Sequence, residues 1–194
     1  MFSLDENANL CLSGGAEGAD LQWGMCAGLL GHQVIHWSFE GHNTRAPTNE
    51  VVRLTDEQLA ESTDLIKLAS VPLKKHPPKQ LFVKRLIQRN YFQVAWSESV
   101  YAVATIKDGV VQGGTAWAVY MFLNRTDIQR PPVYVYDQTR ASWFTFDHDK
   151  QDWEAIVSPP QPRGIWAGIG TRELDQNGKQ AIRDLMDFVK PQMP

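Results

Sequence analysis

An α/β fold, with a doubly wound, mostly parallel sheet covered by helices on both faces, is what this sequence predicts. Two observations carry that expectation. Short apolar runs of strand length alternate with helix-length segments along almost the whole chain, and that alternation builds parallel sheets from strand–helix–strand units. In addition, "LSGGAEGAD" (12–20) and "GIWAGIGTRE" (164–173), near opposite ends of the chain, both read as a strand entering a glycine turn.

The run 9–13, "NLCLS", suits a buried strand and is too short for a helix, and Gly14-Gly15 end it. Leu21, Met25, Gly28 and Leu29 then share one helical face, with Gly31 placed to stop that helix. "QVIHWSF" (33–39) reads as a second strand and 40–50 as a loop. Three helix-start signals coincide at 54–59: Thr55 can cap, Gln58 can return the bond, and Leu54 can staple onto Leu59. This helix is expected to reach about Ala69. Pro72, Pro77 and Pro78 speak against regular helix over 71–80, and the next helix is expected from about Gln80 to Ala95. "SVYAVATI" (99–106), rich in β-branched and aromatic residues, is the clearest strand, turned by Asp108-Gly109. Gly113-Gly114-Thr115 open a helix through about Leu123, and 131–137 and 142–147 read as strands. "VSPPQPRG" (157–164) is the best linker. After it, 165–170 is a strand, and Ile182, Leu185, Met186 and Val189 form the apolar stripe of a long helix that Pro191 stops.

The length of 194 residues fits one compact domain, and 43% hydrophobic residues is ordinary for a globular core. A net charge of -3 argues against general nucleic-acid binding; the basic stretch 74–89 reads as a solvated helix face, with DNA contact as its alternative. No apolar run approaches the ~20 residues of a membrane span. "MFSLDENANL" has no basic region leading into an apolar stretch, so a cytoplasmic protein without a membrane partner is expected. Cys11 and Cys26 read as reduced, buried thiols. His32, His36 and His42 are scattered over a helix end, a strand and a loop, and His76 and His148 are isolated. No metal-ligand spacing occurs, and neither metal nor cofactor is expected.

In a doubly wound sheet, ligands bind beyond the carboxyl ends of the strands, where helix N-termini point. Three glycine turns fall there: Ser13-Gly14-Gly15, Gly113-Gly114-Thr115 and Gly168-Ile169-Gly170-Thr171-Arg172. Glycine lets a ligand approach the backbone, and the free amides and dipole of a first helical turn favour an anion such as phosphate. No lysine of the nucleotide-binding P-loop type follows any of them, and no Gly-x-Gly-x-x-Gly fingerprint is present. Trp37 and Phe39 end a strand beside the expected pocket, where they either stack on a base or pack in the core. Trp117 either packs in the core or covers a dimer face.

"SGGAEGAD" (13–20), "GGTAWAV" (113–119), "AGIGTRE" (167–173) and "RNYFQVAWSESVYAVATI" (89–106) together resemble the SLOG superfamily, the Rossmann-like group that contains the DprA/SMF proteins and the LOG phosphoribohydrolases. Within it the chain is most similar to the YpsA-type branch and to proteins described as molybdenum carriers. In most of that group the strand ending like "GIGSR" comes first and "SGGAxGAD" second; here that order is reversed. The resemblance therefore implies a circularly permuted domain spanning 1–194, in which 157–164 joins the displaced strand–helix unit 165–190.

The resemblance implies a pocket for a nucleotide or nucleotide-derived small molecule, held by Ser13, Gly14, Gly15 and Asp20, by Gly113, Gly114 and Thr115, and by Gly168, Gly170, Thr171 and Arg172. Asp20 either bonds a ribose hydroxyl or merely favours the helix dipole. Arg172 either pairs with phosphate bidentately or forms a local salt bridge. Arg89 is a further candidate, with surface pairing as its alternative. A sensor or binding protein is the leading expectation, and the resemblance allows a homo-oligomer. A hydrolase of an N-glycosidic or phosphate bond is the runner-up, with Glu17 or Glu173 polarising a water; a DprA-like DNA-binding protein is the third reading. The LOG enzymes carry a Pro-Gly-Gly-x-Gly-Thr-x-x-Glu motif. Here Gln112 stands in place of the proline and no glutamate follows within a turn, which departs from that hydrolase.

Overall fold

The computed structural model describes residues 8–186. The first half of the chain gives β1 (Leu10–Ser13), α1 (Ala19–Leu29), β2 (Gln33–Phe39), β3 (Val51–Leu54), α2 (Asp56–Ala60), α3 (Thr63–Leu73) and α4 (Leu81–Val94). The second gives β4 (Ser99–Ala104), the small hairpin β5 (Ile106–Lys107) and β6 (Val110–Val111), α5 (Thr115–Leu123), β7 (Val133–Asp137), β8 (Ser142–Asp147), β9 (Asp152–Ile156), β10 (Ile165–Gly170) and α6 (Gln176–Leu185). Eight strands form one sheet in the order β3-β2-β1-β10-β4-β7-β8-β9. The first six are parallel, and β8 and β9 close one edge as an antiparallel hairpin. The fold is the expected Rossmann-like, doubly wound α/β architecture.

The late strand β10 sits at the centre, between β1 and β4, pairing Leu12 with Ala167 on one side and Gly170 with Val103 on the other. Counted with β10 first, the six parallel strands β3-β2-β1-β10-β4-β7 read 4-3-2-1-5-6, a doubly wound sheet whose winding reverses beside its first strand. The entry to β10 runs beside the start of β1: Asn9 Oδ1 accepts from Gly164 N at 2.8 Å, and Gly164 O accepts from Leu10 N at 2.9 Å. The segment 157–164 contains no helix or strand, and Pro160 O accepts a bond from Tyr101 Oη at 3.0 Å.

Each sheet face is sealed by its own apolar layer. α1 and α6 pack Trp23, Ile182 and Leu185 against Tyr101, Val103 and Trp166. α3, α4 and α5 pack Ile66, Ile87 and most of α5 against Val100, Ala102, Val135 and Ile169. In α5, Thr115 through Phe122 are all buried, so this helix is apolar on every side because it is covered on every side. Trp117 belongs to that core, and Trp23, Trp143 and Trp166 are core residues as well. Cys11 and Cys26 are both free and buried, and burial pushes both thiols up.

Five details depart from the sequence expectation. β3 forms where only a loop leading to a helix start was read, because "VVRL" is four residues long and runs straight into the cap. β9 follows β8 by a tight turn and was unread; only Trp153 of its five residues is buried, so it shows little apolar pattern. The capping box on Thr55 and Gln58 forms, and Leu54 and Leu59 are buried together, but the helix breaks after Ala60. There the hydroxyls of Ser62 and Thr63 take the carbonyls of Leu59 and Ala60. α3 then runs past Ala69 through Pro72. That proline forgoes one bond in the last turn, and the helix stops at Lys74 in the left-handed region. The final helix starts at Gln176, capped by Asp175, and not at the glycine turn itself. Its expected continuation through Val189 to Pro191 lies outside the described residues.

Candidate ligand-binding cleft

β1, β10 and β4 all point their carboxyl ends at one cleft of about 400 Å³. Its walls come from four places: Ala16 and Asp20 at the start of α1, Gly113-Gly114-Thr115 at the start of α5, Gly170-Thr171-Arg172-Glu173 after β10, and the flank of α4. The size suits a small organic ligand. Gly14 and Gly170 lie on the same rim, since both neighbour Asp20.

Asp20 ties the rim together. Its Oδ1 accepts from Gly170 N at 2.9 Å, and its Oδ2 accepts from Arg89 Nη1 at 3.2 Å and Gln93 Nε2 at 3.1 Å. Both charged groups are almost wholly buried. Burial pushes the Asp20 carboxyl up from the usual carboxylate range, while Arg89 and the Gly170 amide pull it back; burial likewise pushes Arg89 down. The carboxylate is thus occupied by protein, which favours a positioning role over contact with a sugar. Arg89 is no surface residue, and its Nε is buried without a hydrogen-bond partner. Ser13 is also structural: its fully buried Oγ lies 2.8 Å from Asp20 O and 2.6 Å from Gly168 O, and its single proton serves one at a time. Gly168 is inside β10, where its Cα faces the Trp23 ring, so it does not reach the cleft.

The loop after β10 is pinned from three sides. Thr171 N donates to Val103 O and Thr171 O accepts from Ala19 N, both at 2.9 Å. Gln138 Nε2 donates to Glu173 O at 3.1 Å and Gln138 Oε1 accepts from Asp175 N at 2.8 Å. This fixes the backbone that presents Arg172, whose guanidinium pairs with no carboxylate among the described residues. Opposite it, Asn90 Nδ2 donates to Gly114 O at 3.1 Å and orients the turn into α5. No described residue accepts from the amides of Gly113, Gly114, Thr115 or Ala116. Residues with free amides and one with an unpaired guanidinium therefore border a common space, a combination suited to an anion.

A second hollow of about 630 Å³ shares Ala16 and Arg172 with the first and adds Glu17, His42, Asn43, Thr44, Arg45 and Phe82. Glu17 is paired there with Arg45 at 3.2 Å, both side chains exposed. His42 is buried, Nδ1 3.1 Å from Ser38 Oγ, and stacks on Phe39 with ring centroids 5.2 Å apart. Burial, with Arg89 and Arg172 adding repulsion, pushes the His42 imidazole down to about 4, so it is neutral at pH 7. Trp37 and Phe39 are core residues, and Phe82 takes the exposed aromatic position instead.

Sequence reasoning missed Asn90, Gln93, Gln138, His42 and Phe82. For α4 a signal existed: its C-terminal half carries four polar residues, Gln88, Arg89, Asn90 and Gln93, among Ile87, Phe92 and Val94, and all of them end up buried. No group of three or more histidine, cysteine or acidic residues among the described residues is placed to hold a metal. None of their helices is long and apolar enough to cross a membrane. No family model, no curated protein and no solved structure matches this chain.

Proposed function

We propose that the chain is a circularly permuted relative of the SLOG group and binds a nucleotide or nucleotide-derived small molecule by its phosphate, as a sensor or binding protein. The observation that carries this reading is Gly114. Its φ of -68° is ordinary for any residue, and an added Cβ would meet no protein atom within 4 Å. The fold does not require glycine there. A ligand that must touch the backbone at the start of α5 does. The phosphate sits on the amides of Gly114, Thr115 and Ala116 and pairs with Arg172 across the cleft. Asp20, Arg89 and Gln93 hold the two walls in register.

Glu173 supports a second reading, hydrolysis of an N-glycosidic or phosphate bond, because its carboxylate belongs to a residue on the same cleft and no described cation pairs with it. Glu17 is the poorer candidate, being paired with Arg45.

Thermal unfolding with AMP, ribose 5-phosphate and inorganic phosphate tests the binding reading. A phosphate ligand at 100 times its Kd adds about 2.7 kcal/mol of apparent stability, and this gain should vanish in Arg172→Ala. The reading fails if none of the three raises the melting temperature. Release of adenine from AMP, lost in Glu173→Gln with binding retained, would favour the hydrolase.

A further inference from the structure

Resting on the phosphate-binding reading, the geometry points to the second hollow as the seat of the ligand's heterocyclic base, so that the ligand is a mononucleotide lying across Arg172 with its base against Phe82 and His42. Three observations lead there. The two hollows adjoin, because Ala16 and Arg172 line both. A ligand whose phosphate is held at α5 and Arg172 therefore has the second space next to it. Phe82, in the first turn of α4, is 42% exposed, yet its ring is held edge-on against Phe39 at 5.7 Å. An aromatic ring that is held in place and partly exposed offers a surface for stacking. Finally, His42 is 94% buried, and its Nε2 has no hydrogen-bond partner.

An unpartnered buried nitrogen is costly, and a ligand group that bonds to it recovers that cost. The imidazole is neutral at physiological pH, and its Nε2 donates to a ring nitrogen or carbonyl, or accepts from an exocyclic amine, according to its tautomer. The Arg45–Glu17 pair at the rim adds no net charge, which again fits a neutral base. Charge thus divides the cleft: cationic and amide donors at α5, a neutral aromatic compartment beyond Arg172.

Calorimetric titration with AMP, GMP, CMP, UMP and ribose 5-phosphate tests this. At least one mononucleotide should bind tenfold or more tightly than ribose 5-phosphate. Phe82→Ala should erase that advantage and leave ribose 5-phosphate affinity within twofold of the unsubstituted protein. His42→Gln should act in the same direction, and Phe82→Ala, at a half-exposed position, keeps the test valid if the buried histidine variant fails to fold. Equal binding of all five, or mononucleotide affinity untouched by Phe82→Ala, overturns the base seat while the phosphate reading stands. Absence of binding by all five overturns both.

Discussion

Gly14, Gly15 and Gly18 lead into α1 against a wall of protein atoms, whereas Gly113 and Gly114 lead into α5 across open space. A Cβ on Gly14 would collide with the Arg89 guanidinium and the Asp20 carboxylate. One on Gly15 would collide with Thr44 Oγ1, and one on Gly18 with the backbone of Thr171 and Arg172. At Gly113 and Gly114 a Cβ would meet nothing; Gly113, at φ 73°, still needs glycine for its backbone, so Gly114 is the one of the two with no structural reason to be glycine. Two turns that look interchangeable in sequence therefore have different duties. The first is a structural joint that brings β1, β10 and α4 into contact through Asp20. The second is a surface left bare. The lesson is that a glycine-rich turn points to a ligand most strongly where packing gives no reason for the glycine.

The sharpest way to break this contrast is Asp20→Ala. It leaves Arg89 buried without its anion and should cost about 3–5 kcal/mol in a urea unfolding titration. A loss below 1 kcal/mol would mean the joint is not built on this pair. Gly18→Ala comes next. Gly18 has φ 103° and abuts backbone, so the added methyl meets both strain and collision; a loss of about 3 kcal/mol is expected.

The third effect is pH. His36, against whose ring Gly24 packs, is pushed down to about 4 by burial and by Arg89, and His42 is pushed to about 4. Glu50 Oε2, 3.6 Å from His36 Nε2, is the facing acid, and burial raises it. An unfolded histidine takes up its proton near 6.5 and these folded ones only near 4, so their contribution is complete above pH 6.5 and is lost as pH falls toward 4. By pH 5 the loss should be about 2 kcal/mol per histidine, and replacing His42 by Gln should flatten the fall between pH 6.5 and 4 in the same titration. A stability that stays level over that window would remove the buried histidines from this account.

The smallest effect on stability is the most telling for function. Gly114→Ala and Arg172→Ala should each shift unfolding by less than about 0.5 kcal/mol, as surface changes do, while weakening AMP binding tenfold or more in calorimetry. If Gly114→Ala unfolds the protein, or leaves binding intact, the two turns are not divided as described.

The alternation of strands and helices, the capping box at Thr55 and the three glycine turns were legible because each is encoded within a few residues of chain. β3 and β9 were not: they are short edge strands, and their pairing partners, not their own patterns, make them strands. The helix break after Ala60 was hidden because two hydroxyls compete for carbonyls that a propensity reading assigns to the helix. Gly168 illustrates the same limit within the site. Its motif places it with Gly170, and the two share one face of β10, but Gly168 lies inside the strand against Trp23 whereas Gly170 ends the strand at the cleft.

By itself, then, the sequence determined the α/β class, the approximate starts of α1, α2, α4 and α5, and the glycine turns at the carboxyl ends of the strands. Only the tertiary structure decided that β10 enters between β1 and β4, that Asp20 and Arg89 meet across 69 residues of chain, and that Phe82 and His42 border one hollow beside the cleft. The reason is physical: local signals report what a segment does with its own backbone, whereas a site is assembled by contacts between segments whose separation along the chain carries no record of their distance in space.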